Sequence, residues 1–161
     1  MSHGKVHAPR TVGRRGLLRL GALLAAVPVA GAVAAPLPAD APVLYLITSP
    51  DCPPCRVWES EFGGAFEKSA EWARLRLVPM PMPTVRDSIY QNWVWPKDVR
   101  WVRDELARQK YPSAMPMFVL VHKGRVVAVE TGIEPKLPYG WRADFLAAVR
   151  KETGLDGGTG K

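Results

Sequence analysis

Two cysteines separated by two residues, placed where a buried strand gives way to a helix, constrain this chain more than any other feature. Val43-Leu44-Tyr45-Leu46-Ile47-Thr48 is a continuous apolar run rich in strand formers, the pattern of a strand covered on both faces. Ser49-Pro50-Asp51 interrupts it and Cys52-Pro53-Pro54-Cys55 follows. Beyond the cysteines Trp58, Phe62, Phe66 and Ala70 recur every four residues, which places them on one face of a helix. Gly63-Gly64 falls inside that helix at about 1 kcal/mol per glycine relative to alanine, and so predicts a kink or break. A cysteine at the amino end of a helix meets the positive end of the peptide dipole and free N–H groups. Both favour the thiolate, the species that attacks a disulfide. A second cysteine one turn on can resolve the mixed disulfide that results. The plain alternative is a fixed structural bridge, although so small a ring at a helix start is an uncommon place for one.

The remaining periodicities supply a frame for the pair. Residues 75–78 predict a second strand, closing a strand-helix-strand unit whose right-handed crossover puts the cysteines at the carboxyl end of the first strand. Residues 79–96 read as irregular and hold Trp93 and Trp95, offered as part of a partner surface. Val99, Val102 and Leu106 predict a helix over residues 97–110, with Pro96 suited to its first turn. Two apolar runs, residues 117–121 and 126–129, flank His122-Lys123-Gly124-Arg125 and predict an antiparallel hairpin. A closing helix is expected from about Tyr139 to Glu152, with Trp141, Phe145, Ala148 and Val149 inward and Gly154 as its stop. The fold class is therefore α/β: a central mixed sheet of about four strands with helices on both faces.

Charge separates an address from a domain. The chain has 161 residues and a formal charge of +7, from 22 Lys and Arg against 15 Asp and Glu. Lys5, Arg10, Arg14, Arg15 and Arg19 supply five of those excess charges within residues 1–34, which hold no acidic residue. The rest of the chain is nearly neutral, so nucleic-acid binding has no support. An apolar share of 47% excludes global disorder. Two cysteines are too few for a disulfide-stapled miniprotein or an all-cysteine zinc site. Residues 20–35 form an apolar run interrupted by Gly21, Pro28 and Gly31. It is weaker than the ~20 residues of a membrane span and ends in Ala32-Val33-Ala34, which fits leader-peptidase cleavage after Ala34. Arg14-Arg15-Gly16-Leu17-Leu18-Arg19 resembles a twin-arginine export signal, with an ordinary secretory signal or an uncleaved anchor as the alternatives. The expected organisation is a cleavable signal over 1–34, a Pro-rich linker over 35–42, the domain over 43–153 and a flexible tail over 154–161, with the periplasm as destination.

The order of elements, with Cys52-Pro53-Pro54-Cys55 after the first buried strand and Ala114-Met115-Pro116-Met117-Phe118 before the hairpin, resembles the thioredoxin fold. Gly124 and Gly132 fall where that fold turns. Cys52-Pro53-Pro54-Cys55-Arg56-Val57-Trp58-Glu59 and Phe118-Val119-Leu120-Val121 are most similar to the small periplasmic thioredoxins associated with bacterial sulfur oxidation. The resemblance implies a thiol-disulfide oxidoreductase with Cys52 as nucleophile and Cys55 as resolving thiol. Pro116 would present substrate backbone beside the sulfur, with Met115 contacting substrate. No cofactor beyond the redox-active disulfide and no metal is implied. The implied partners are a disulfide- or thiol-containing periplasmic protein and a membrane electron donor, and the chain is expected to be a monomer. A sulfur-carrying protein of thiosulfate oxidation and apocytochrome c thiols are the candidate substrates that follow from the likeness.

Departures from the family bear on direction. Leu46 stands where thioredoxin has a buried aspartate, and Asp51 where it has tryptophan; Asp51 is expected to raise the Cys52 pKa by like charge. Pro53 and Pro54 remove two N–H donors. All three changes weaken the thiolate and so favour a reductant or isomerase-like donor over a strong oxidant. Met80, Met82, Met115 and Met117 are expected near the cysteines, lining an apolar substrate groove or, alternatively, supplying soft thioether ligands for Cu(I) in a metallochaperone. His122 is expected as a turn residue some ~20 Å from the pair, remote from the chemistry.

Overall fold

The computed structural model describes residues 37–156, so the expected leader and the expected cleavage after Ala34 lie outside the described residues. Four strands form one sheet in the order β2-β1-β3-β4: β1 Val43–Thr48, β2 Arg76–Pro81, β3 Met117–His122 and β4 Arg125–Thr131. β1 runs parallel to β2 and antiparallel to β3, and β3 pairs antiparallel with β4. The central position of β1 explains its unbroken apolar run, since both its faces are covered. Leu44 and Leu46 face a cluster with Trp58, Phe66, Phe118, Trp141 and Phe145. Tyr45 and Ile47 face the other cluster, with Val102, Leu106 and the two cysteines. Helices therefore lie on both faces, as the apolar periodicities require.

β2 continues three residues past its expected end, through Pro79, Met80 and Pro81. Proline cannot donate to a ladder, which argues against a strand in a sheet interior. β2 is an edge strand, and both prolines are exposed while Met80 faces inward, so the missing donors cost nothing and the edge is blunted against pairing with another chain.

The first helix does not break at Gly63-Gly64. α1 (Pro53–Val57) runs into a π-helical stretch, Trp58–Gly63, and then into α2 (Gly64–Glu67). The π turn is wider than an α turn and keeps Trp58 and Phe66 on the buried face despite their four-residue spacing. The helix ends at Glu67, leaving Ala70 exposed instead of on that face. A short 3-10 turn, Lys97–Val99, leads into α3 (Arg100–Arg108), which buries Val102 and Leu106. The hairpin turn uses Lys123 (φ 50°) and Gly124 (φ 70°), the double positive φ of a tight two-residue connection.

The last helix, α4 (Ala143–Glu152), starts four residues later than its periodicity suggested. Tyr139 and Gly140 adopt positive φ, and Trp141 is extended, so Trp141 is core but not on a helix face. The new start has its own anchor. The buried Glu130 carboxylate accepts the Arg142 backbone N–H and Nε, each at 3.0 Å, at the amino end of α4. At the other end of the Trp141 cluster, buried Glu71 accepts from Arg150 Nε at 2.8 Å and from the Tyr139 hydroxyl at 3.2 Å.

Burial pushes the Glu71 carboxyl up, but the bonds from Arg150, from the backbone and from Tyr139 outweigh it and hold it below the ordinary carboxylate range. A carboxyl depressed on folding stabilises the native state above its unfolded pKa, and that stability is lost as pH falls through the folded value. Glu71→Gln should therefore cost about 1.5–3 kcal/mol at pH 7 in denaturant unfolding. The gap to the wild type should narrow as pH falls below ~4. A gap that stays constant with pH would refute the assignment.

Candidate functional site

The carboxyl end of β1 builds the site through a short run of backbone constraints. Met82 N–H donates to Thr48 O at 2.7 Å, holding the end of β2 against the end of β1. Cys52 N–H donates to Ser49 O at 3.2 Å, folding the chain back so that Cys52 becomes the N-cap of α1. Cys52 and Cys55 are bonded as a disulfide with a Cα–Cα distance of 5.3 Å, inside the usual bridging range. The Met115–Pro116 bond is cis. Gly132 N–H donates to Pro116 O at 2.8 Å, tying that loop to the end of β4, and Gly132 does so at φ 75°. The buried cluster that holds both cysteines also holds Met115 and Met117, on either side of Pro116.

Electrostatics around Cys52 are sparse. Pro53 and Pro54 occupy the first helical positions and have no N–H, so the backbone donor on Cys52 Sγ is Cys55 N–H at 3.2 Å. Leu46 belongs to the opposite face of the sheet and brings no carboxyl to the pair. Asp51 is held by the Ser49 hydroxyl at 2.9 Å and the Val85 N–H at 2.7 Å. The Ser49 bond first, and Val85 with it, keep its carboxyl below the ordinary range, so Asp51 is charged at neutral pH beside Cys52. The sequence reading missed Ser49 and Val85. Ser49-Pro50-Asp51 carries a local turn signal that identifies the first. Val85 lies 34 positions from Asp51 and has no local signal at all.

Three expectations need correction. Met80, Met82, Met115 and Met117 are buried in one cluster with the cysteines and do not line an open groove, because Ile89 and Trp95 pack into the same cluster. Trp95 is not a surface residue: it is 1% exposed, donates Nε1 to Ile89 O at 2.6 Å and packs edge-on against Tyr45 at 5.8 Å. Trp93, by contrast, is 54% exposed. His122 is the last residue of β3 rather than part of the turn. Its Nδ1 pairs with Glu152, whose carboxyl is held low chiefly by that bond. The pair borders a cleft of about 400 Å³, and residues 37–42, expected as a linker, form part of its wall. This cleft and the Pro116 loop lie at opposite ends of β3.

No family model matches the chain, and no curated protein sequence does. Among solved structures it is similar to the periplasmic thioredoxin SoxS from Paracoccus pantotrophus in its reduced form, with 16% identity, a TM-score of 0.43, and 71% of this chain and 97% of that one covered. It is also similar to DsbH oxidoreductase (19% identity, TM-score 0.40, 72% and 74% covered) and to thioredoxin f2 from Chlamydomonas reinhardtii (20%, 0.39, 72% and 82%).

One backbone donor and a neighbouring carboxylate give Cys52 little reason to ionise early. Alkylation rates followed against pH should show the midpoint of the reduced Cys52 thiol falling when the neighbouring charge is removed in Asp51→Asn. A midpoint that stays put or rises in that variant would contradict the electrostatic reading.

Proposed function

We propose that the chain is a thioredoxin-like, periplasmic thiol-disulfide oxidoreductase that reduces or exchanges disulfides of exported proteins through Cys52 and Cys55. The observation that carries the reading is the bonded Cys52–Cys55 pair at the helix cap after β1, where the first sulfur receives the Cys55 N–H. The Cys52 thiolate attacks a substrate disulfide, forming a Cys52–substrate bond and expelling one substrate thiolate, which takes up a proton. The Cys55 thiolate then attacks Cys52 Sγ, forming the Cys52–Cys55 disulfide and releasing the second substrate thiol. Two electrons pass from the pair to the substrate. An external dithiol must return them, because the periplasm is kept oxidising, and a membrane donor fits that need.

Pro116 and Met115 are proposed to present the substrate's backbone beside Cys52. The Met115 side chain is buried in the cysteine cluster, so its contribution to an extended substrate comes from its main chain. The basic, acid-free leader with Arg14-Arg15 supports export, and the near-neutral remainder supports a protein substrate over a nucleic acid. A second reading rests on the shared burial of four methionine thioethers with the cysteine pair, a soft donor set suited to Cu(I) once the disulfide is reduced.

The Cys55→Ala variant should accumulate mixed disulfides with periplasmic proteins, resolved on non-reducing gels and lost on adding dithiothreitol. Cys52→Ala should trap none. Trapping by Cys52→Ala alone would reverse the two roles. One copper per reduced chain, with no reduction of a model disulfide such as insulin, would replace the oxidoreductase reading by the metal-carrying one.

A further inference from the structure

An attacking sulfur must be reachable, since the incoming disulfide has to approach in line with the bond that breaks. Cys52 is 0% exposed and Cys55 is 1% exposed. The walls around the pair differ in how firmly they are held. Met80 and Met117 lie on strands, and Met115 sits in a loop tied to Gly132. Met82, Ile89 and Trp95 come instead from residues 82–96, which contain turns and bends and no helix or strand.

Within that stretch, residues 83–88 are set apart. They run between two buried anchors, Met82 and Ile89, and residues 83–86 are exposed. Thr84 and Asp87 close a turn internal to the stretch, with Thr84 N–H donating to Asp87 Oδ2 at 3.2 Å. Val85 N–H donates to Asp51 Oδ1 at 2.7 Å, and at the far end of the segment Ser88 accepts the Tyr90 N–H on Oγ and the Gln91 N–H on its carbonyl, each at 3.2 Å. The anchors beyond the flap are deeper: Ile89 N–H donates to Ser113 Oγ at 3.1 Å, and Trp95 is bonded back to Ile89. A short exposed segment between two anchors, bonded near its middle to the residue that precedes the nucleophile, has the geometry of a latched flap.

We propose that residues 83–88 gate access to Cys52 and that the Asp51 carboxylate is the latch, so that the residue next to the nucleophile controls which partners reach it. Small disulfides and rigid protein surfaces meet a closed site. A partner whose segment displaces Val85 from Asp51 opens it. Asp51 is thus a gating residue that touches neither sulfur nor substrate in the closed form. The inference rests on the reading that Cys52 is the attacking sulfur.

The test separates the latch from the charge. In a full-length Cys55→Ala background, where Cys52 is the remaining thiol, iodoacetamide alkylation is followed against pH to give both the Cys52 pKa and the plateau rate of the fully ionised thiolate. Asp51→Ala removes latch and charge, Asp51→Asn removes charge but keeps an acceptor oxygen, and Val85→Pro removes the donor but keeps the charge. Circular dichroism and thermal unfolding confirm that each variant is folded. The plateau rate should rise about 5- to 30-fold in Asp51→Ala and Val85→Pro, and stay within about threefold of the parent in Asp51→Asn. The pKa should fall in Asp51→Ala and Asp51→Asn and not in Val85→Pro. Unchanged plateaus in both Asp51→Ala and Val85→Pro would overturn the flap, as would Asp51→Ala and Asp51→Asn rising together while Val85→Pro does not. Alkylation reads access whether or not the pair turns over. Unchanged plateaus in a protein that still reduces insulin would sink the flap alone, and the expected plateaus without any disulfide reduction would sink the oxidoreductase reading alone.

Discussion

The reversal of the chain at Ser49–Cys52 is the constraint on which the functional end depends. β1 is buried on both faces and cannot continue without burying more unpaired backbone, so the Cys52 N–H bond to Ser49 O ends it by turning the chain into α1. That one turn places Cys52 at a helix cap, aims Cys55 N–H at its sulfur and fixes the separation across which the two sulfurs bond. It also projects Asp51 outward, where Ser49 and Val85 hold it. The bridge, the local charge and the covering segment all follow from where a central strand stops.

On the proposed reading, the same geometry favours one direction of exchange. A dithiol oxidises readily when its disulfide is stable relative to its thiolate, and thiolate stability here draws on few groups. The first turn of α1 offers one donor instead of three because two of its residues are prolines. No buried carboxyl stands beside Cys55 from β1, since Leu46 points into the opposite cluster. A charged Asp51 opposes the neighbouring anion. The missing donors and the Asp51 charge each make the disulfide harder to reduce and the dithiol a better donor.

Much of this was legible in the sequence, and the failures have physical causes. β1 was read to the residue because a buried central strand is apolar throughout. The hairpin was read because Gly124 marks its turn, and the cysteine pair because nothing else in the chain shares its chemistry. Strand β2 was cut short because Pro79 and Pro81 argue against a strand until the edge position is known. The start of α4 was misplaced because apolar spacing is blind to the positive φ of Tyr139 and to a cap supplied by Glu130 from another strand. The cover over the cysteines was invisible for a related reason. Residues 82–96 have no periodicity, and burial of Ile89 and Trp95 comes from tertiary packing that one segment does not encode.

The central claim is that Cys52 and Cys55 form an exchange-competent pair poised as a donor of electrons. Its most direct measurement is the reduction potential of the couple, obtained by equilibrating the chain in defined redox buffers and counting free thiols at each. The electrostatics described place it between about −200 and −300 mV, in the range of reducing thiol proteins of this fold. A value near about −120 mV would mark a strong oxidant, and one well below about −300 mV a fixed structural bridge; either would contradict the account.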